Sequence, residues 1–488
     1  MGKKMVLLFI YLMTILSLVF CLFNEKSVNM INMGYGSLWL LPFTFLIVTI
    51  FLFTNIILKR KSFTSYLFIF LSGIRFVVQP FVSVITGQFE SLSMYSSTRQ
   101  SNEIAIALMC YELVTISLLI TYLVFKDNFF TADNLLKKLN KEKKLEGNGF
   151  FYFIYIVFSF TIFLIFGRNS GIFSFIFLKV DELGVRVGDL TDFRSVATKQ
   201  IVLAGLIFSF LLVVSFSAKK FKETNRKRYL LYSLIMAMIN VSVIVGERRS
   251  IQVYTCISTL YLLYICFSKK SKLLMWIVGI GSVTILVMMS LYKFLNIFII
   301  GSYSEALKNN TVDQNQWSMI LSAYFGGVEL LGTAIDMKAI GTYPLSNIFY
   351  DFLRSIFGIS FFFKDKGTLT TEIFNTFVYG YKREAGQLIP SVGYGYLYMG
   401  FFLSPIFTGL NVLITYNLER ILFKLKSLEM SYIVSFIFLR FGTSLYQVTP
   451  PLVSMATQYL CTVGLVFFIS KFFGKRKEFG LNEKSIDC

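Results

Sequence analysis

The chain has 488 residues and no histidine. Its absence removes the commonest metal ligand and the usual general acid–base side chain near neutral pH. Cysteine carries little chemistry either. Of Cys21, Cys110, Cys256, Cys266, Cys461 and Cys488, five lie inside apolar runs and the sixth ends the sequence. None stands in a C-x-x-C pair, so neither a zinc site nor a disulfide framework is indicated. Carboxylates form no dense D-x-D-like cluster. No metal and no cofactor is therefore expected. Charge is scarce overall: charged residues make up 15% of the chain, against roughly 25% in soluble domains.

Long apolar runs fill the rest. Hydrophobic residues make up 55% of the chain, in stretches long enough to cross a hydrocarbon core of ~30 Å at 1.5 Å per residue. The pattern predicts an all-α polytopic integral membrane protein with about twelve spans: 5–23, 38–58, 63–86, 104–125, 149–167, 200–217, 229–246, 251–268, 273–300, 393–417, 431–448 and 452–470. The run "MGKKMVLLFIYLMTILSLVFCLF" reads as a retained first helix, since no small-residue cleavage site follows it.

The net charge is +20. Basic clusters at 3–4, 59–61, 135–144, 219–228, 269–272 and 471–477 all fall on one side of these spans, which makes that side, with both termini, cytoplasmic. The basicity then reflects topology and contact with anionic headgroups, not nucleic acid. The other side carries a medium loop, 168–199, and a large loop, 301–392, between the ninth and tenth spans. The large loop is aromatic and apolar enough to hold short helices, one of which, around Asp351 and Arg354, would lie in the interface.

Several residues stand out on or near that outer face. The hairpin "GERRS" places Arg248 and Arg249 outside, against the local charge preference. Planar guanidinium forks suit phosphate, although arginines at a hairpin tip can equally meet lipid phosphates. The segment 368–402 gathers Glu372, Tyr381, Lys382, Arg383, Glu384, Ser391, Tyr394 and Tyr396. Its tyrosines could stack on sugars or form an interfacial belt, and its glycines would allow close backbone approach. Within the spans, Arg75 and Glu112 are candidates to pair, whereas Arg440 has no acid within a span and is the better reach toward an anionic headgroup.

About twelve spans, one dominant late outer loop, "GERRS" at an outer hairpin, and "IPSVGYGYLYMG" entering the next span together resemble the Wzy-type repeat-unit polymerases of bacterial O-antigen, capsule and exopolysaccharide. An Arg-x10-Gly pattern of that family is matched by Arg194 and Gly205. Lys382, in place of arginine, has the same spacing to Gly393, and Tyr394 stands where many members carry an acid. The resemblance implies a GT-C-like fold in the bacterial cytoplasmic membrane. It implies an undecaprenyl-pyrophosphate-linked oligosaccharide as substrate, and polymerisation of such repeat units at the outer face by glycosyl transfer. Membrane lipids, a flippase and a chain-length-regulating co-polymerase would be partners, and nucleic acid would not.

The residues can be set against that reaction. Departure of pyrophosphate from a sugar C1 needs charge stabilisation, which guanidinium groups supply without a metal. Arg248 and Arg249 come first, then Arg383 and Arg440, with Arg194, Lys382 and Arg75 as further cations. A base, if the acceptor hydroxyl needs one, must be a carboxylate: Glu384, Glu372, Asp351 or Glu247. Tyr381, Tyr394, Tyr396 and Ser391 would face sugar. Two alternatives share the layout: a lipid-linked oligosaccharide flippase, and an O-antigen ligase-like transferase.

Overall fold

Apolar runs with few charges become helices, because in hydrocarbon each backbone N–H and C=O must be satisfied within its own segment. The computed structural model describes residues 3–89, 95–126, 143–166, 193–242, 249–267, 271–294, 316–363, 367–380 and 389–483, with side chains excepted at 193–196, 249, 271, 285–294, 316–317 and 475–483. Among the described residues there is no β-strand. Among the same residues, eight helices are long and apolar enough to cross a membrane, or ten if each of two bent pairs counts as one span.

The chain divides into two compact units. The first comprises Met1–Lys137, Val312–Arg420 and Arg440–Thr457. Its helices are α1 (Lys3–Asn24), α2 (Leu40–Lys59), α3 (Phe63–Thr86) and α4 (Arg99–Lys126). Then, from later in the chain, come α10 (Gln316–Phe325), α11 (Val328–Ile340), α12 (Ser346–Ser355), α13 (Thr370–Tyr379) and α14 (Ser391–Leu403). Helix α15 (Ile406–Lys424) lies in this unit as far as Arg420. Helix α4 is central: α2 packs along it, and so does α11. Leu330, Ala334, Met337, Phe374, Ile389, Tyr394 and Phe407 join α11, α13, α14 and α15 in one apolar core.

The second unit comprises Lys138–Thr311, Ile421–Leu439 and Gln458–Cys488. It holds α5 (Gly149–Phe166), α6 (Phe193–Thr224), α7 (Arg228–Ser242), α8 (Arg249–Phe267) and α9 (Ser271–Phe294). Most of α16 (Leu428–Gly442) and the later part of α17 (Thr449–Gly474) also belong to it. Stacked rings tie these helices, Tyr152 on Phe208 and Phe436 on Tyr459. Asn240 donates to Thr259 and to the Tyr432 hydroxyl. Lys143 donates to the Tyr261 and Ser431 hydroxyls and the Leu422 carbonyl, and burial pulls its pKa down to about 8.

Two expectations need revision. Helix α16, at 15 residues, is too short by itself to span. The stretch expected as the span 393–417 is instead α14 and α15, bent by 108°. Within the large loop, residues 316–340 form α10 and α11, and α11 is buried throughout 328–337.

Candidate functional site

Two helices of the first unit break inside its core. α10 and α11 meet at Gly326–Gly327 with a bend of 55°, and α14 meets α15 with a bend of 108°. Broken backbone at membrane depth is tolerated where it is buried in protein or lines a cavity, and its freed groups need partners. The Gly326 carbonyl receives its hydrogen bond from Nε of Arg75, at 3.2 Å.

Arg75 stands in a five-residue π-helical stretch of α3, Ile74–Val78. Pro80, two residues beyond that stretch, has no N–H to offer the preceding turn, which favours such widening. Nη1 of Arg75 pairs with Glu112 Oε2 of α4 at 2.7 Å, both side chains fully buried. The other oxygen of Glu112 accepts from Thr408 Oγ1 in the first turn of α15, at 2.5 Å. One polar chain, Thr408–Glu112–Arg75–Gly326, therefore ties both breaks together. The Tyr446 ring covers the guanidinium at 4.4 Å, and its hydroxyl is bonded to Ser72.

Polar capacity is left over around this elbow. Arg75 Nη2, Gln79 Oε1, Gln447 Oε1 and Ser391 Oγ are buried without a hydrogen-bond partner. They converge through the backbone. Ser391 N–H donates to the Tyr446 carbonyl, Pro390 pairs with Gln447, and Gly326 abuts the Pro390 ring. Buried polar atoms of native proteins are nearly always satisfied, so such a cluster marks a place for water or for polar atoms of a ligand. A cavity of about 10 Å³ between Gln79, Ser83 and Ser322 has room for one water at most.

A second polar group holds three of the predicted site residues. Asp351 of α12 is 3% exposed. Its Oδ1 accepts the Thr370 N–H that opens α13, and its Oδ2 accepts the Tyr394 hydroxyl at 2.8 Å. Burial raises its pKa, and the Thr370 and Tyr394 hydrogen bonds offset part of that rise. Glu372, on the first turn of α13, pairs with Arg354 at 3.5 Å on the partly exposed rim. Tyr394 is wholly buried between Tyr398 and Phe407 and offers no face for stacking a sugar. The Tyr396 ring lies beneath the ammonium of Lys338, which also donates to the Tyr396 carbonyl. Asp351 thus points inward as a helix cap, rather than lying on the polar side of an interfacial helix.

Arg440 closes the last turn of α16 and donates to Ser444 Oγ at 3.3 Å. Arg75, engaged by Glu112, Gly326 and Tyr446, is a structural cation with its Nη2 group to spare. Glu247, Arg248, Tyr381, Lys382, Arg383 and Glu384 lie outside the described residues, as do the side chains of Arg194 and Arg249.

The sequence reading missed a repeated device: buried acids that cap the N-terminus of another helix. Asp336 accepts from Thr98 N–H, Thr98 Oγ1 and Ser101 Oγ at the start of α4. Glu419 accepts from Phe63 N–H, Thr64 N–H and the Ser62 hydroxyl at the start of α3. Glu429, in the second unit, accepts from the N–H groups of Glu146 and Gly147 just before α5 and from the Tyr152 hydroxyl. Helix N-termini carry unsatisfied N–H groups and a partial positive charge, so each acid is well placed. The local signal, serine or threonine before an apolar run, identifies the N-terminus but not the distant acid that completes it.

The fold and these buried networks define the class, an all-helical polytopic membrane protein. No family model, curated protein or solved structure matches the chain.

Proposed function

We propose that this protein polymerises lipid-pyrophosphate-linked oligosaccharide repeat units by metal-independent glycosyl transfer at the outer face of the bacterial cytoplasmic membrane. The observation that carries the reading is the placement of "IPSVGYGYLYMG". It runs from a buried Pro390–Ser391 entry into α14 and on toward a sharp break, and Pro390 abuts Gly326, whose carbonyl Arg75 holds. Just before it in sequence stand Lys382, Arg383 and Glu384.

In this reading Arg248 and Arg249, with Arg383 and Arg440, neutralise the departing pyrophosphate, and an outer carboxylate receives the acceptor's proton. Both oxygens of Asp351 are already engaged in capping and in the Tyr394 bond. That favours Glu384, then Glu372, as the base.

A second reading, a transporter of the lipid-linked oligosaccharide, is favoured by one observation: two broken helices cross-tied by a buried ion pair. Discontinuous helices meeting near mid-membrane are typical of transporters.

Purified protein, given a lipid-pyrophosphate-linked repeat unit with chelator and no nucleotide sugar, should yield a ladder of repeats. The ladder should vanish in Arg248→Ala and Arg249→Ala while folded protein remains. A single unchanged band from active-site-intact, folded protein, together with movement of the lipid-linked unit across liposome membranes, would replace this reading with the transporter.

A further inference from the structure

A groove of about 520 Å³ opens on the side of the first unit between α1, α2 and α3. Phe9 and Met13 of α1, Ile57 of α2, and Phe70, Gly73 and Val77 of α3 contribute to its walls. Phe9 and Phe70 remain 59% and 63% exposed. The volume falls within the ~300–1,000 Å³ of small-molecule sites. All three helices are long and apolar enough to cross a membrane, so the groove opens toward hydrocarbon rather than water.

One end is different. Lys3 lines the groove there, and its ammonium donates to the Leu58 carbonyl at 2.8 Å. Lys61 is close enough for its charge to act on Lys3, and Lys59 and Arg60 directly precede Lys61 in sequence. Glu419, whose carboxylate accepts from the Phe63 and Thr64 N–H groups just beyond Lys61, is buried and turned into the N-terminus of α3. An apolar slot with a basic mouth matches one chemistry, acyl chain below and phosphate above.

We infer that this groove binds an anionic phospholipid, its acyl chain along α1 and α3 and its phosphate at Lys3 and Lys61. The inference does not rest on the polymerase reading, and it holds equally for a transporter.

The test uses the full-length protein in mild detergent, titrated with phosphatidylglycerol or phosphatidylcholine and read by native mass spectrometry. The wild type should prefer phosphatidylglycerol by about fivefold or more, as ~1 kcal/mol per basic residue near a membrane surface implies. In Lys3→Gln/Lys61→Gln the preference should fall toward one. Gly73→Phe, which fills the groove, should weaken both lipids. Equal binding of the two lipids by the wild type overturns the inference. So does a preference that survives in the double lysine variant, or preferential displacement of phosphatidylglycerol by an equal concentration of a polyprenyl phosphate. If Gly73→Phe does not fold, the wild type and the lysine variant still decide the question.

Discussion

Arg75 and Glu112 show what a single buried ion pair does in this protein. Removing one partner strands a charge in a medium that cannot solvate it, and such losses run to about 3–5 kcal/mol. Arg75→Met alone and Glu112→Leu alone should each lower thermal stability in detergent sharply, and the double variant should lose less than either. A double variant worse than both singles would mean that the Gly326 and Thr408 contacts matter more than the charge balance. Asp351 gives a prediction with a sign. Its folded pKa is raised, so the stability it contributes is fully present below the ordinary aspartate value of ~4 and is lost as pH rises through the raised value. Unfolding followed from pH 4 upward should show that decline in the wild type, and Asp351→Asn should flatten it. The possible Arg75–Glu112 pair was legible in the sequence, because charge within spans must find charge. The part played by Asp351 was not, since Thr370 and Tyr394 reach it from 19 and 43 residues away.

At the level of elements, the breaks depend on glycine. Gly326 has φ +68°, in the left-handed region, and sits against Pro390. A side chain there costs about 1–3 kcal/mol before any clash is counted. Gly395 is more demanding: a Cβ would stand 2.1 Å from the Ser404 carbonyl oxygen, which is backbone and cannot rotate away. Gly395→Ala should therefore force the α14–α15 turn apart and reduce folded yield more than Gly326→Ala, as judged by monodisperse protein after detergent extraction. Equal yields would show that the turn can open without cost. Composition announced that glycines near 393–400 permit close approach. The surface approached, the turn at Ser404, became visible only once the supposed span was seen to fold back on itself.

Across the whole molecule, the basic loops predict a topology that thiol labelling can check. In a background lacking the native cysteines, Lys61→Cys should react with an impermeant maleimide only after cells are permeabilised, and Asn347→Cys should react in intact cells. Reaction of Lys61→Cys in intact cells would reverse the orientation and move the proposed outer chemistry to the wrong side. The sequence by itself determined the class: hydrocarbon admits apolar helices, and few charges in runs of about 20 residues leave no other fold. It also placed nearly all lysine and arginine in the connecting segments, since they cannot stay within a span without a partner. Only the tertiary structure decided which apolar stretches stay whole and which break. It also decided that α11 lies in the core of its unit, and that scattered acids cap distant helices. Those outcomes depend on which backbone groups meet which side chains across tens to hundreds of residues, and hydropathy, which averages over neighbours in sequence, carries no record of such meetings.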